Sequence, residues 1–336
     1  MALMALTQAV AVAEPSQVAH ARRMSAAIAA DVRLDAERAG RLALVVTESA
    51  TNLLRHAGGG QILLQPVNGH GAAAVEVLAL DRGPGMTNVD RCMEDGYSTV
   101  GGAGSGLGAM RRLSSVFDVY SRPGHGTAIL SRVGETPPRA RVTVDGVCVA
   151  ARGQDCCGDA WDEEPRPDGV TILVVDGLGH GLGAAEAAAA AVAAFRRAKF
   201  EPPARRLEAM HAAMRSTRGG AAGVAEIDLA TRRVRFAGVG NIGAMVLDAE
   251  KAEKPRFLMS HNGTLGHTMR KTVEVSVDWP ARGLLVMYSD GLGTPRELAA
   301  YPGLAERHPS LVAGVLWRDL ARGRDDVTVV VARAAA

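Results

Sequence analysis

The sequence contains few aromatic residues and carries almost no net charge. Aromatic side chains occupy 4% of the 336 positions, so the cores must be built from Leu, Val, Ile, Met and Ala. The 38 basic and 36 acidic residues give a net charge of +2. This balance provides no electrostatic basis for binding nucleic acid or an anionic membrane, and neither is expected as a partner.

Cysteine is also scarce, and its spacing excludes some common uses. The four cysteines, Cys92, Cys148, Cys156 and Cys157, form no CxxC pair, which disfavours a zinc site. Cys156 and Cys157 are adjacent, which is a poor geometry for a disulfide between them. Reduced thiols in a cytosolic protein are the simplest interpretation.

Long apolar runs are missing as well. The apolar start from Met1 to Ala13 lacks the basic region of a signal peptide, because no Lys or Arg precedes Arg22. A first strand near residues 9–13 is expected there instead. No later stretch reaches the roughly 18 uncharged apolar residues of a membrane span. We therefore expect a cytoplasmic protein.

What is present indicates two domains. A chain of 336 residues fits two domains of ordinary size better than one. The segment Gly134-Glu-Thr-Pro-Pro-Arg-Ala140 has the composition of a linker. This gives a first domain over residues 1–133, a linker over 134–140 and a second domain over 141–336.

Strand and helix signals in both halves predict an α+β fold. In the first half, helices are expected from Pro15 and over 35–56, followed by strands at 61–67, 75–80, 116–121 and 127–132. The second half combines many strands with a few long helices, a pattern typical of an α+β sandwich. Its predicted helices are 184–199 and 204–214, and its predicted strands are 141–151, 170–176, 223–228, 234–238, 244–247, 273–277, 284–288 and 327–332.

The second predicted helix carries polar residues on one face. Glu48, Asn52 and His56 follow one another at intervals of four, so they share one side of the helix. The amide oxygen of Asn52 suits Mg²⁺, and Glu48 could accept a proton from an attacking hydroxyl. A solvated helix face explains the same pattern, and the segment alone does not decide between the two.

Two glycine-containing motifs follow in the same half. Asp81-Arg-Gly-Pro-Gly-Met86 comes directly after a strand, where a carboxylate can accept a hydrogen bond from an amine such as that of adenine. Alone it would be an ordinary Asp-Gly turn. Gly102-Ala-Gly-Ser-Gly-Leu-Gly108 opens a helix, and free backbone N–H groups there can hold phosphate. A dinucleotide-binding fingerprint is disfavoured, because that motif closes the first βα turn of its domain.

In this order the three motifs resemble the N, G1 and G2 boxes of the GHKL family of ATPases and kinases. Asp95-Gly-Tyr-Ser-Thr99, Arg112-Leu113 and Gly126-Thr127 extend the resemblance to the small serine kinases of bacterial partner switching. Those kinases phosphorylate STAS-domain proteins, the anti-sigma antagonists and stressosome scaffolds. The short segment between Gly85 and Gly102 argues against a sensor histidine kinase.

The GHKL resemblance implies an α/β sandwich with a mixed sheet covered by helices, and it implies ATP and Mg²⁺ as cofactors. Glu48 would be the catalytic base, Asn52 the Mg²⁺ ligand and Asp81 the adenine contact. The other implied nucleotide-binding positions are Gly83, Gly85, Gly102, Gly104, Ser105, Gly106, Leu107, Gly108 and Thr127.

Acidic residues recur at strand ends or turns in the second half. These are Asp159 in Cys157-Gly-Asp-Ala160, Asp176 at the start of Asp176-Gly-Leu-Gly-His-Gly181, Asp290 in Ser289-Asp-Gly-Leu292, and the pair Asp325 and Asp326. Each alone would be an ordinary turn residue. If the carboxylates converge they repel one another, and two Mg²⁺ or Mn²⁺ ions would supply the countercharge. Such an ion pair can activate a bridging water for phosphoryl chemistry.

This pattern resembles the PPM family of metal-dependent serine/threonine phosphatases, in particular the bacterial branch acting on STAS proteins. Ala237-Gly-Val-Gly-Asn241, Gly263-Thr-Leu-Gly266 and Arg324-Asp-Asp-Val-Thr328 match further motifs of that family. The resemblance implies an αββα sandwich. It implies Asp176 as the bridge between the metals and the Gly177 carbonyl as a ligand.

By the same resemblance, Asp290 and Asp325 complete one metal site and Asp159 serves the other. Which of Asp325 and Asp326 points inward stays open. For His180, a turn-stabilising role is at least as well supported as general-acid chemistry. No arginine matches the phosphate-binding arginine of eukaryotic relatives.

The leading functional hypothesis is reversible serine/threonine phosphorylation of a STAS-domain partner in bacterial stress and sigma-factor regulation, with kinase and phosphatase on one chain. In the alternative, the first domain is an ATP-dependent anti-sigma-type binding module and the phosphatase alone turns over. A sigma factor or a downstream regulator would then be a further partner. A scaffold without activity is disfavoured, because both glycine boxes and all the expected aspartates are present.

Overall fold

The change of sequence pattern near residue 140 coincides with a division of the chain into two units, one over residues 5–139 and one over residues 140–336. The computed structural model describes residues 6–69, 72–94, 106–136, 140–250, 254–269, 272–295 and 298–334. Each unit has a buried apolar core of its own.

In the N-terminal unit, helices cover a sheet whose order is β1-β2-β3-β5-β4. The strands are β1 (Gln8–Val12), β2 (Gly60–Gly69), β3 (Ala72–Leu80), β4 (Val116–Ser121) and β5 (Thr127–Gly134). The helices are α1 (Pro15–Asp31), α2 (Ala36–Ala57), α3 (Val89–Cys92) and α4 (Gly106–Leu113). Neighbouring strands pair antiparallel.

Helix α2 is the element that carries the polar face of this unit, and its local sequence sets its limits. The side chain of Asp35 caps the helix by accepting from the amide of Arg38 at 2.8 Å, a contact worth about 1 kcal/mol. Gly58 ends it in the left-handed conformation at φ 70°. The predicted apolar stripe, Leu42, Val45, Val46 and Leu53, is buried in a core with residues of α1 and the sheet.

The C-terminal unit contains two sheets, ordered β13-β10-β9-β8-β7 and β12-β11-β14-β15-β6. The strands are β6 (Val142–Val149), β7 (Asp159–Arg166), β8 (Gly169–Gly177), β9 (Gly220–Asp228), β10 (Arg233–Val239), β11 (Gly243–Asp248), β12 (Arg256–Leu258), β13 (Val275–Asp278), β14 (Gly283–Tyr288) and β15 (Val327–Ala334). The helices are α5 (Leu182–Arg197), α6 (Pro203–Ala213) and α7 (Pro309–Leu320), and short 3-10 turns lie at Leu298–Ala300 and Leu304–Glu306.

Four layers result from this arrangement. One core lies between the two sheets and joins residues such as Ile172 and Phe236 to Met287 and Val330. Helices α5 and α6 pack on β8, β9 and β10 over a second core, while α7 packs on β6 and β15. The predicted two-domain α+β class with an αββα sandwich is confirmed.

The sequence prediction missed three elements of this unit, namely β7, β12 and α7. Because β7 was not expected, Asp159 was placed after a strand or in a turn, whereas it is the first residue of a strand. None of the four cysteines, all of which lie in described segments, forms a disulfide. In the described part of the chain, no helix has the length and apolar character needed to span a membrane.

Candidate active sites

The first candidate site lies where the start of α4 meets one face of α2. Glu48 and Asn52 are half-buried and one helical turn apart. A Cβ atom built on Gly106 would lie 3.4 Å from Oε2 of Glu48 and 3.7 Å from Oδ1 of Asn52. The amide of Asn52 also approaches Sδ of Met110 at 3.9 Å. The fold therefore places the N-terminus of α4 beside Glu48 and Asn52, the two polar residues of α2 that the sequence indicates as candidate site residues.

Asp81 lies directly after β3, beside the first residue of β5. Its Oδ1 accepts hydrogen bonds from the backbone amides of Gly83 at 2.8 Å and Thr127 at 3.1 Å. The hydroxyl of Thr127 lies 2.8 Å from the hydroxyl of Ser121. These bonds fix the orientation of the Asp81 carboxylate and place two of the predicted nucleotide-binding residues together.

The two glycines after Asp81 are required by close backbone approaches. A Cβ atom on Gly83 would lie 2.7 Å from the Cβ of Ala57, at the end of α2. Gly85 has φ 69°, and a Cβ there would lie 2.2 Å from the carbonyl oxygen of Arg122. Any side chain would clash at both positions. This loop is therefore held tightly against α2 and the turn that precedes β5.

The glycine-rich stretch is described only in part. Gly106, Leu107 and Gly108 form the first turn of α4, where free N–H groups and the helix dipole favour an anion. Gly102, Gly104 and Ser105 lie outside the described residues.

The second candidate site is a group of carboxylates, Asp159, Asp176, Asp290, Asp325 and Asp326, called the acid cluster below. Asp159 and Asp176 face each other across the β7–β8 ladder. Asp290 follows β14, and the Asp325–Asp326 pair precedes β15, which is the neighbour of β14 in the other sheet. The sandwich thus brings together acids that the sequence separates by more than a hundred positions.

The pKa values show that these carboxylates act on one another. Burial, followed by the charges of Asp290, Asp325 and Asp326, raises the pKa of Asp176 to about 7. Burial, followed by the charge of Asp176, raises the pKa of Asp159 well above its usual range. Within the described residues, the buried Oδ2 of Asp159 has no hydrogen-bond partner. Among the described residues whose charges or hydrogen bonds shift these two pKa values, none carries a positive charge.

The two neighbouring acids before β15 differ sharply in their surroundings. Asp326 is 3% exposed, and its two oxygens accept from the amides of Ala151 at 2.6 Å and Gly158 at 2.7 Å. Asp325 is exposed, and its Oδ1 accepts from the amide of Asp326 at 2.9 Å. Asp326 holds the backbone around Gly158 in place, which leaves Asp325 as the better candidate for a metal ligand.

Asn241, which follows β10, is a site residue that the sequence pattern does not reveal. Its Nδ2 donates to Oδ2 of Asp290 at 2.6 Å, and a hydrogen bond between Asn241 and Asp176 opposes the rise in the pKa of Asp176. The only available signal was its position at the end of the Ala237-Gly-Val-Gly-Asn241 motif. Gly177 lies in β8 beside the cluster and donates its amide to the carbonyl of Gly158 at 3.0 Å. His180 is exposed in the loop that follows.

The chemistry of this donor set fits hard divalent cations. Across the described segments, no three His, Cys, Asp or Glu side chains stand close enough together to form a ready-made metal site. The fold therefore assembles the carboxylates without closing them around one point. Asp176, whose pKa is raised, and Asp159, whose buried Oδ2 has no partner among the described residues, offer carboxylate oxygens. Such oxygens suit Mg²⁺ or Mn²⁺ rather than zinc.

Two family models match the two halves of the chain. The model for the histidine kinase-like ATPase domain matches residues 11–132. The model for stage II sporulation protein E (SpoIIE) matches residues 166–335, half of the chain. The chain belongs to the SpoIIE family. The predicted resemblances to GHKL and PPM proteins are confirmed.

Two individual relatives each match part of the chain. The serine/threonine-protein kinase RsbT of Bacillus subtilis (strain 168) is 35% identical over 109 residues, which cover 32% of this chain and 82% of RsbT. A chain from a structural study of the bacterial stressosome is 26% identical with a TM-score of 0.52, covering 57% of this chain and 99% of that one.

A third match shows the fold alone. The crystal structure of RsbX in complex with magnesium has 19% identity and a TM-score of 0.52, and the match covers 59% of this chain and 98% of RsbX. Taken together, the matches show that the chain joins an RsbT-like kinase domain to a SpoIIE-type phosphatase domain.

Proposed function

We propose that this protein is a bifunctional regulator of bacterial partner switching that acts in the cytoplasm on a STAS-domain protein. The N-terminal unit phosphorylates a serine or threonine of that partner, and the C-terminal unit removes the phosphoryl group. The acid cluster, with the pKa of Asp176 raised to about 7 by burial and its acidic neighbours, is the observation that carries the proposal.

In the phosphatase unit, the proposed roles are those that the resemblance to PPM phosphatases implies for the acid cluster. Asp176 would be a ligand shared by two Mn²⁺ or Mg²⁺ ions, and the Gly177 carbonyl would be a further ligand. Asp290 and Asp325 would complete the site of one ion, and Asp159 would serve the other. When bound, the ions neutralise the cluster and lower the pKa of a water that can attack phosphoserine. Asp326 holds the amides of Ala151 and Gly158, and Asn241 orients Asp176 and Asp290.

In the kinase unit, Asn52 faces the Mg²⁺ of ATP, and Glu48 accepts the proton of the substrate hydroxyl. The closeness of Gly106 to both side chains supports this assignment, since the N-terminus of α4 then lies at the same phosphates. Asp81 binds the adenine amine. The remaining proposed contacts to the nucleotide are Gly83, Gly85, Gly102, Gly104, Ser105, Leu107, Gly108 and Thr127.

A labelled-phosphate assay on the full chain tests both halves of the proposal. The substrate is a purified STAS-domain protein from the same organism. Transfer of the labelled phosphoryl group from ATP is measured in the Asp176→Asn variant, so that the phosphatase unit does not remove the label from the product. Adding Glu48→Gln should leave ATP binding intact and reduce transfer about 10²- to 10⁴-fold, the usual contribution of a general base.

The phosphatase half is measured as release of label from the phosphorylated partner with and without Mn²⁺. Hydrolysis that survives chelator, or full activity in Asp176→Asn, would overturn the two-metal assignment. ATP-dependent binding of a sigma factor or another regulator, without transfer in any background, would replace the kinase by an anti-sigma-type binding module.

A further inference from the structure

The loop after Asp176 has an arginine beside it that the roles above leave unused. The β8–β9 ladder pairs Asp176 with Ala221 and Gly177 with Gly220. One step further, the amide of Leu178 donates to the carbonyl of Gly219 at 2.9 Å. Arg218 directly precedes Gly219 in the segment that leads into β9, so it lies beside the loop that follows Asp176.

The side chain of Arg218 lies against this loop beside Gly179 and Gly183, two residues that have no side chain of their own. A Cβ atom built on Gly183 would lie 2.6 Å from Nε of Arg218, and one built on Gly179 would lie 3.6 Å from its Nη1. On the other side of the loop, a Cβ atom on Gly158 would lie 3.3 Å from the carbonyl oxygen of Gly179 and 2.9 Å from Oδ2 of Asp326. A single backbone segment therefore separates the guanidinium from the acid cluster.

This cation does not serve the cluster itself. The charges and hydrogen bonds that shift the pKa of Asp176 come from other acids and from Asn241. Arg218 is exposed, and among the residues that the structure describes its guanidinium makes no hydrogen bond or ion pair. Its backbone, in contrast, is fixed, because its carbonyl oxygen lies 3.0 Å from Nε2 of His267. The positive charge of Arg218 is therefore held beside the loop without a partner among the described residues.

The same loop exposes apolar surface. Leu178 is 57% and Leu182 is 67% exposed, and each directly precedes one of the two glycines that Arg218 covers. A cation on a loop with two exposed leucines, at the edge of a carboxylate cluster, suits a ligand that combines a strongly anionic group with a peptide.

We propose that Arg218 binds the phosphoryl group of the phosphoprotein substrate, and this rests on the proposed phosphatase function. The planar guanidinium donates to phosphoryl oxygens from outside the loop, in the paired geometry that arginine offers to phosphate. Leu178 and Leu182 contact the peptide on either side of the phosphoserine. Arg218 thus supplies a phosphate contact at a position that no family motif marks.

Steady-state hydrolysis by the full chain with Mn²⁺ tests the assignment on two substrates, p-nitrophenyl phosphate and a phosphorylated STAS protein. Arg218→Ala should lower kcat/KM about 10- to 100-fold on both, the loss expected for one charge-assisted hydrogen-bonding group. Inorganic phosphate, measured by calorimetry, should bind more weakly by a similar factor. The affinity for Mn²⁺ should not change.

Two further variants distinguish a loss of phosphate binding by Arg218 from a general loss of structure. Gly183→Ala keeps the arginine but places a methyl group 2.6 Å from Nε of Arg218, which must move away, so this variant should also lower phosphate affinity. Arg215→Ala removes a nearby exposed arginine and should have no effect. Unchanged hydrolysis of p-nitrophenyl phosphate in Arg218→Ala would overturn the assignment, even if the phosphoprotein is affected. Failure of wild type to hydrolyse either substrate would instead reject the phosphatase function.

Discussion

The side-chain amide of Asn241 donates a 2.6 Å hydrogen bond to Asp290 and also hydrogen-bonds Asp176. One neutral side chain thus joins two carboxylates that lie on different sheets of the sandwich. A donor in this position lowers the repulsion between the two acids and fixes the direction in which their oxygens point. Partners of this kind orient metal ligands in many sites.

Asn241→Ala should therefore weaken Mn²⁺ binding by about 10- to 100-fold, the usual effect of removing an outer-shell partner. Calorimetric titration of the full chain with Mn²⁺ measures this. The exposed Asn262 belongs to the same unit, so Asn262→Ala serves as the matched control and should bind Mn²⁺ normally. Equal Mn²⁺ affinities in all three proteins would remove Asn241 from the site.

The two adjacent acids before β15 should respond differently to the same change. Asp325→Asn should reduce Mn²⁺ affinity more than about 100-fold, since a direct ligand matters more than an outer-shell partner. Asp326→Asn should instead lower the stability of the metal-free protein by about 1–3 kcal/mol, because an amide cannot accept from both backbone N–H groups. Relief of repulsion on Asp176 offsets part of that loss.

Thermal unfolding in chelator and Mn²⁺ titration, applied to both variants, give the comparison. A stability loss of 1 kcal/mol corresponds to a Tm shift of about 2–4 °C in a domain of this size. The reverse pattern, with an unstable Asp325→Asn and a weakly binding Asp326→Asn, would exchange the two roles.

The raised pKa of Asp176 predicts a pH dependence with a definite sign. Its pKa is about 7 in the folded protein, against 3.8 for an ordinary aspartate, so the folded state holds the proton more tightly. The stability of the metal-free unit should therefore fall as pH rises from about 4 to about 7. Mn²⁺ competes with this proton, so its affinity should rise by up to about tenfold per pH unit below 7 and level off above.

Denaturant unfolding in chelator and Mn²⁺ titration across this range would check both trends. Asp176→Asn removes the titrating group, so its metal-free stability should depend less on pH over the same window. A metal-free protein that becomes more stable between pH 4 and 7 would contradict the assigned shift.

In the N-terminal unit, Asp81→Asn should weaken ATP binding by about 10- to 100-fold, since it removes one charge-assisted acceptor. Calorimetry with ATP and Mg²⁺ on the full chain measures the loss. Asp31→Asn, at an exposed position at the end of α1, is the control and should bind normally. Unchanged affinity in Asp81→Asn would remove that carboxylate from the adenine site.

Elements that bury one face were predictable from sequence, and the elements that were missed lack that pattern. Helix α7 is buried on nearly all sides, from Pro309 to Arg318, so it shows no polar stripe to reveal helical periodicity. Strand β7 contains several acids and Pro165, which oppose a strand prediction. It lies at the edge of its sheet, where proline is tolerated.

The candidate sites were predictable as a list of residues but not as an arrangement. The acids near strand ends can be recognised in the sequence. The different surroundings of Asp325 and Asp326, however, depend on the backbone amides of Ala151 and Gly158, which lie far away in the chain. Asn241 and Arg218 were not assigned any role, because a lone amide or arginine carries no spacing signal. Only the β8–β9 register and the loop glycines place Arg218 beside the cluster.

The presence of both units on one polypeptide has a consequence for control. Kinase and phosphatase units are synthesised in equal numbers, so a cell that makes twice as much protein doubles both rates on the shared substrate proposed above. The fraction of substrate that is phosphorylated at steady state then becomes insensitive to gene dosage and to noise in expression. Its set point follows instead from nucleotide and metal supply, and from whatever ligand favours one unit over the other.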